Sequence, residues 1–135
     1  MSAPDFQSLS VGDILPELSI DISAKFIVGA AIASRDYQNV HHDKAAAQEL
    51  GSPDIFMNIL TTNGLVGRYI TDWSGPAARL QKVAIRLGAP NYPGDCMTMR
   101  GTVAAKDEQA ATLELEVVGE NQYGKHVTGT VVLAF

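Results

Sequence analysis

Period-two alternation dominates the second half of the chain. Val83, Ile85 and Leu87 alternate with Lys82, Ala84 and Arg86. Met97, Met99 and Val103 alternate with Thr98, Arg100 and Thr102, and Leu113, Leu115 and Val117 with Thr112, Glu114 and Glu116. Val127, Val131, Leu133 and Phe135 share a face with Gly129. The pattern predicts four strands with one dry face each. Turns are predicted over Pro90 to Asp95, Lys106 to Ala110 and Asn121 to Lys125.

The first half reads differently. Residues 1 to about 20 carry Pro4 and Pro16 and predict an arm and a short strand. The unbroken apolar run Phe26 to Ala33 reads as a further strand. Lys44 to Leu50 reads as a helix, with Asp43 as its N-cap and Gly51 just past its end. Ser52-Pro53-Asp54 predicts the start of a longer helix from about Ile55 to Thr71. Its apolar set is Ile55, Phe56, Ile59, Leu60, Val66, Tyr69, Ile70 and Trp73. Gly64 and Gly67 lie inside it, each costing about 1 kcal/mol against alanine. Close approach of another backbone is the expected reason for them. One long helix followed by an antiparallel meander predicts a single α+β domain over residues 1–135, with a curved sheet wrapped around that helix.

Composition narrows the classes. With 46% apolar and 19% charged residues, the chain has the makings of an ordered core. No apolar run approaches the ~20 residues of a membrane span, and the start lacks the basic-then-apolar order of a secretion signal. A net charge of −5 argues against nucleic-acid binding. The single cysteine, Cys96, fits a reducing, cytoplasmic setting and is expected to be a buried, inert thiol. No CxxC, HExxH, GxGxxG or GxxxxGK[ST] spacing occurs, so neither a metal nor a nucleotide cofactor is expected.

The candidate chemistry lies in Asp36-Tyr37-Gln38-Asn39-Val40-His41. Asp36 and His41 are five positions apart, a poor helical spacing, so they converge only if the chain turns. Asn39 favours that turn. Taken singly, Asp36 suits a cap or turn and His41 a surface or internally satisfied position. A carboxylate and an imidazole held together on a loop between regular elements make an acid/base pair. Asp43 is better explained as a cap, His42 is expected to face elsewhere, and His126 receives no role. Met57, Met97 and Met99 are expected to fill the core. Tyr69 and Trp73 suit either an acyl tunnel or core packing. The start of the long helix near Met57 and Asn58 offers free N–H groups and a positive dipole end.

Strand, Asp-x-x-Asn-x-His-x-Asp, short helix, long helix and four strands resemble a MaoC-like hot-dog domain. Asp36, Asn39, His41 and Asp43 carry the likeness, together with the stretch Ile55 to Leu60. Arg35 to Asp43, Asp54 to Leu60 and Tyr69 to Trp73 are most similar to the small MaoC-like subunits of actinobacterial steroid (cholesterol) side-chain enoyl-CoA hydratases. Nearly the whole chain is covered.

The resemblance implies a hot-dog fold and cofactor-free hydration of a 2-enoyl-CoA thioester. Asp36 and His41 would activate water, with Asn39 supporting the turn. It also implies a second MaoC-like subunit, as a heterodimer or heterotetramer, and a bulky steroid-like acyl group. The chain departs from the family at Asn39-Val40, where Asn-Pro is usual, and at Phe56-Met57-Asn58, where Ala-His-Gly is usual. The family glycine lends its N–H to the thioester oxygen, so the Asn58 N–H takes that part here, and Asn58→Gly is expected to stay active. Lys82 and Arg86 share a strand face and could meet coenzyme A phosphates, although a solvated strand face explains them too. The alternatives are a non-catalytic hot-dog partner subunit and an acyl-CoA thioesterase. The latter usually needs an acid on the central helix, where only Asp54 and Asp72 are on offer.

Overall fold

A computed structural model describes residues 2–135. Its elements are β1 (Leu18–Asp21), α1 (Ala24–Ala33), α2 (Lys44–Glu49), α3 (Ile59–Ser74), β2 (Arg79–Leu87), β3 (Cys96–Asp107), β4 (Thr112–Asn121) and β5 (Gly124–Ala134). The strands form one open antiparallel sheet in the order β1-β3-β4-β5-β2. The fold is the α+β hot-dog expected from the sequence. Leu65, Val66, Tyr69 and Ile70 of α3 share a buried cluster with Met97, Met99, Val103, Leu115, Val131 and Leu133 of the sheet. Alternation on the strands supplies that dry face, and each inward side chain removed from water contributes about 1.5–3 kcal/mol.

Several expectations are corrected. The run Phe26 to Ala33 is the helix α1, not a strand. Ser23 caps it by accepting the Phe26 N–H, and alanines at 24, 30, 31 and 33 favour the helical state. Ile27 and Ala31, four apart, are its buried face. An all-apolar run hides that period. The long helix starts at Ile59 rather than Ile55 and ends at Ser74 rather than Thr71. Ser52-Pro53-Asp54 therefore does not start it, and Ile59 and Leu60 lie half exposed on its outer side.

The four late strands are not one meander. Only β3-β4-β5 run in sequence, while β2 lies on the far edge, paired with β5 from Arg79↔Ala134 to Leu87↔Val127. Among the described residues, no backbone approaches the helix glycines. A Cβ at Gly64 would meet nothing within 4 Å, and at Gly67 only the tip of Leu80 at 3.8 Å. Cys96, at a strand end, is exposed rather than buried. Asp43 does cap α2, accepting the Ala46 N–H.

Gly129 marks where β2 closes on β5. A Cβ there would lie 2.8 Å from the Ala84 carbonyl oxygen and 3.0 Å from Ile85 Cγ2. Gly129→Ala is expected to destabilise the chain by about 1–3 kcal/mol through overpacking. Urea unfolding should show a lower midpoint at unchanged slope.

Candidate active site

Helix α1 ends in a left-handed cap that delivers Asp36. The Asp36 N–H donates to Ala31 O and the Arg35 N–H to Ile32 O, both at 2.9 Å, with Arg35 at φ 57°. Asp36 Oδ1 then accepts the Gln38 N–H, an Asx-type turn. A short 3₁₀ turn over Asn39–His41 swings the histidine back. His41 Nε2 lies 3.3 Å from Asp36 Oδ2. The sequence-predicted pair is thus brought together, with His41 buried at 6% exposure and Asp36 part-exposed.

The tautomer follows from the acceptor. His41 Nδ1 is 2.7 Å from the Phe56 carbonyl, which only accepts, so Nδ1 is assigned the proton. In the neutral ring Nε2 is then bare and faces a carboxylate oxygen. The Phe56 ring meets the imidazole edge-on at a centroid distance of 5.1 Å.

Asn58 joins this pair to the central helix. Its side-chain oxygen caps α3 by accepting from the Thr61 amide and hydroxyl. Its Nδ2 donates to Asp36 Oδ2 and to Ser34 Oγ, each at 3.0 Å. The Asn58 amide, foremost among these contacts, holds the Asp36 carboxyl below the usual carboxylate range. Burial opposes that shift, while the Gln38 N–H and His41 add to it. Asn58 is therefore more than a backbone donor. Its own N–H, at the head of α3, has no internal acceptor among the described residues. Asn39 acts through its backbone. Its carbonyl accepts the His42 and Asp43 N–H groups, and its exposed side chain makes no hydrogen bond among the described residues.

A cavity of about 320 Å³ opens over the pair. Asp36, His41 and the Phe56–Ile59 segment form one wall, and Leu87, Gly88, Pro90 and His126 the other. His126, given no role from sequence, is 2% exposed and braces the two walls. Its Nδ1 is 2.7 Å from Ala89 O and its Nε2 2.8 Å from Thr62 Oγ1. Burial pushes its pKa down, in keeping with a neutral ring that donates to Ala89 and accepts from Thr62. It lies 90 positions from Asp36, and no local pattern could have signalled its place.

The remaining candidates stand apart. His42 is exposed, as expected. Met97 and Met99 are core, and Met57 is buried at the cavity wall. Tyr69 and Trp73 line a separate cavity of about 160 Å³ beside Pro16. There the Tyr69 hydroxyl donates to Pro16 O and burial raises its pKa to about 12. Lys82 and Arg86 are exposed and outside the cavity wall, and Arg86 lines a groove with Arg100 and Glu116.

A family model described as a MaoC like domain matches residues 6–130. The chain belongs to the MaoC-like dehydratase family. It is 49% identical over 124 residues to the beta subunit of 3-oxo-4,17-pregnadiene-20-carboxyl-CoA hydratase of Mycobacterium tuberculosis, covering 92% of this chain and 95% of that one. A chain in the crystal structure of the ChsH1-ChsH2 complex of M. tuberculosis superposes with a TM-score of 0.90 at 48% identity, covering 93% of this MaoC-like chain and 98% of the other. The (R)-hydratase of A. caviae involved in PHA biosynthesis shares the fold, at a TM-score of 0.87 and 24% identity over 96% of this chain and 98% of that one. No helix among the described residues is long and apolar enough to cross a membrane.

Proposed function

We propose that this chain is the catalytic subunit of a hydratase that adds water across the 2,3 double bond of a bulky, steroid-like enoyl-CoA. The observation that carries the reading is the His41–Asp36 pair, Nε2 lying 3.3 Å from Oδ2 at the wall of a cavity. With Nε2 bare the two acceptors repel, and a proton donor shared by both relieves the repulsion. A water molecule meets that need, donating one hydrogen to each and turning its lone pairs toward the cavity.

The water oxygen adds to C3, one of its protons passes to the pair, and C2 takes a proton from the pair. The pair ends as it began, and water has been added as OH and H. Negative charge developing on the thioester oxygen is stabilised by the Asn58 N–H and the head of α3. No cofactor is needed for this redox-neutral step. A thioesterase reading finds less support. Asp54 pairs with Lys44 and Asp72 with Arg68, and neither lines the cavity.

Substrate and partner follow from the relatives and from the cavity size. About 320 Å³ is near the lower end of small-molecule pockets. A four-ring acyl group with its thioester needs more wall than this chain supplies. A second MaoC-like subunit, in a heterodimer or heterotetramer, would supply it. The surface to receive one is present: β2 is a free sheet edge, and Ile59, Leu60, Leu80 and Leu87 are exposed near the open helix glycines.

Co-purified with such a subunit, the chain is expected to convert a steroid enoyl-CoA to the 3-hydroxyacyl-CoA. It should favour that substrate over crotonyl-CoA by kcat/KM, with a stable complex by size-exclusion light scattering. Release of free CoA would mean a thioesterase, and no turnover by the complex would mean a scaffold. A fully active homodimer preferring crotonyl-CoA would overturn the partner and substrate claims alone.

A further inference from the structure

His126 is a buried titratable side chain on the cavity wall that the water chemistry does not use. Its Nδ1 faces Ala89 O, which only accepts, so Nδ1 is assigned the proton and Nε2 is left as an acceptor. The Thr62 hydroxyl, itself fully buried, gives its one hydrogen to Nε2 at 2.8 Å. Both ring nitrogens are thus engaged, and neither is free to serve a substrate as acid or base.

The ring joins two parts of the site that share few other contacts. On one side, the Gly88 and Ala89 N–H groups donate to His126 O and Lys125 O, and the imidazole adds its own bond to Ala89 O. On the other, Thr62 stands in the first turn of α3, its N–H donating to Asn58 O at 3.3 Å. Asn58 in turn lines the cavity and donates to Asp36. Among the described residues, the other ties between that wall and the head of the helix run from Met57 to Asn91. They are an N–H to O bond of 3.1 Å and a long Nδ2 to Sδ contact of 3.8 Å. Thr62 Oγ1 also lies 3.5 Å from Asn58 O. A hydroxyl released by His126 would turn back onto that carbonyl, a contact that bends helices.

We propose that His126 is a positioning residue of this site: acting through Thr62, it fixes the spacing between the Gly88–Pro90 wall and the Asn58 head of α3, and so places the Asn58 N–H against the thioester oxygen. The inference rests on the hydratase reading for the reaction it serves. A neutral imidazole is a flat spacer with a donor at one edge and an acceptor at the other, which are the two ends this span requires. Misplacing a donor aimed at developing charge is felt in the transition state more than in the ground state.

The test uses the assembled complex and the variants Thr62→Val, Thr62→Ser and His126→Asn. Valine keeps the shape of Thr62 without its hydroxyl, and asparagine at 126 keeps a donor for Ala89 O without the acceptor for Thr62. Each of these two should lower kcat about tenfold. The inhibition constant of a saturated acyl-CoA, which cannot turn over, should stay close to that of the wild type. The double variant should lose no more than the worse single one, because both cut the same bond. Thr62→Ser gives up a buried methyl and should lower the thermal midpoint, yet keep most of kcat. Amide exchange at Gly88 and Ala89 should quicken in Thr62→Val and not in Thr62→Ser. Wild-type kcat in Thr62→Val or in a folded His126→Asn would overturn the inference. So would losses that add in the double variant, or a fall in Thr62→Ser as large as in Thr62→Val. Should His126→Asn not fold, the two Thr62 variants decide alone. Failure of the hydratase reading would be seen in the wild-type complex, as absent turnover. Unchanged exchange at Gly88 and Ala89 in Thr62→Val would then still overturn the brace.

Discussion

Asp36→Asn is expected to lower turnover by about a hundredfold or more, the scale of a lost, positioned acid–base group. The amide nearly matches the carboxylate in shape, so the turn at Gln38 is kept. What changes is the face toward His41 Nε2. An amide nitrogen there donates to the ring and competes with the water, while an amide oxygen accepts but cannot take a proton. His41→Ala should cost as much in turnover. It should also cost stability, because the buried ring is the donor to Phe56 O at 2.7 Å, and an orphaned buried carbonyl costs about 1–3 kcal/mol. Comparing kcat in the assembled complex well below the melting temperature separates the two effects. Near wild-type turnover in either variant would remove the pair from the mechanism.

Asn58→Ala is expected to move the acid side of the pH–rate profile. The Asn58 amide is the largest cause of the lowered Asp36 pKa. In the wild type, activity that depends on ionised Asp36 is present above that depressed pKa and is lost only as pH falls through it. Without the amide the pKa rises, so the loss begins at a higher pH. Turnover at neutral pH should fall about tenfold from looser placement of Asp36, and the lost helix cap should cost about 1 kcal/mol. Asn58→Gly removes the same side-chain contacts and is expected to show the same shift, with less tolerance than the sequence alone predicts. Rates measured from pH 4 to 8 check the point. An unshifted acid limb would mean that Asn58 acts only as a cap and backbone donor.

The difference between those two residues shows what a sequence makes legible. Asp36 and His41 are local to each other, and their spacing forced a turn that the structure contains. Asn58 reaches Asp36 only because α3 begins at Ile59, and Pro53 masked that start by offering an earlier one. Alternating strands were readable because one face of each is wet. Helix α1 reads as a strand in the sequence because hardly any polar residue interrupts it to mark a period. Strand order was out of reach for a different reason. The β2–β5 pairing joins residues far apart in the chain, and nothing local distinguishes an edge strand next to β5 from one next to β3.

That pairing also sets an order of events during synthesis. The cavity wall at Leu87, Gly88 and Pro90 is held by the Gly88 and Ala89 N–H groups, which donate to His126 O and Lys125 O. Those carbonyls are made about ninety positions after Asp36. The acid–base loop and the helix head are made early, but the wall opposite them has nothing to hang on until β5 arrives. A nascent chain that has not yet reached β5 therefore holds Asp36 and His41 without the opposite wall of their pocket.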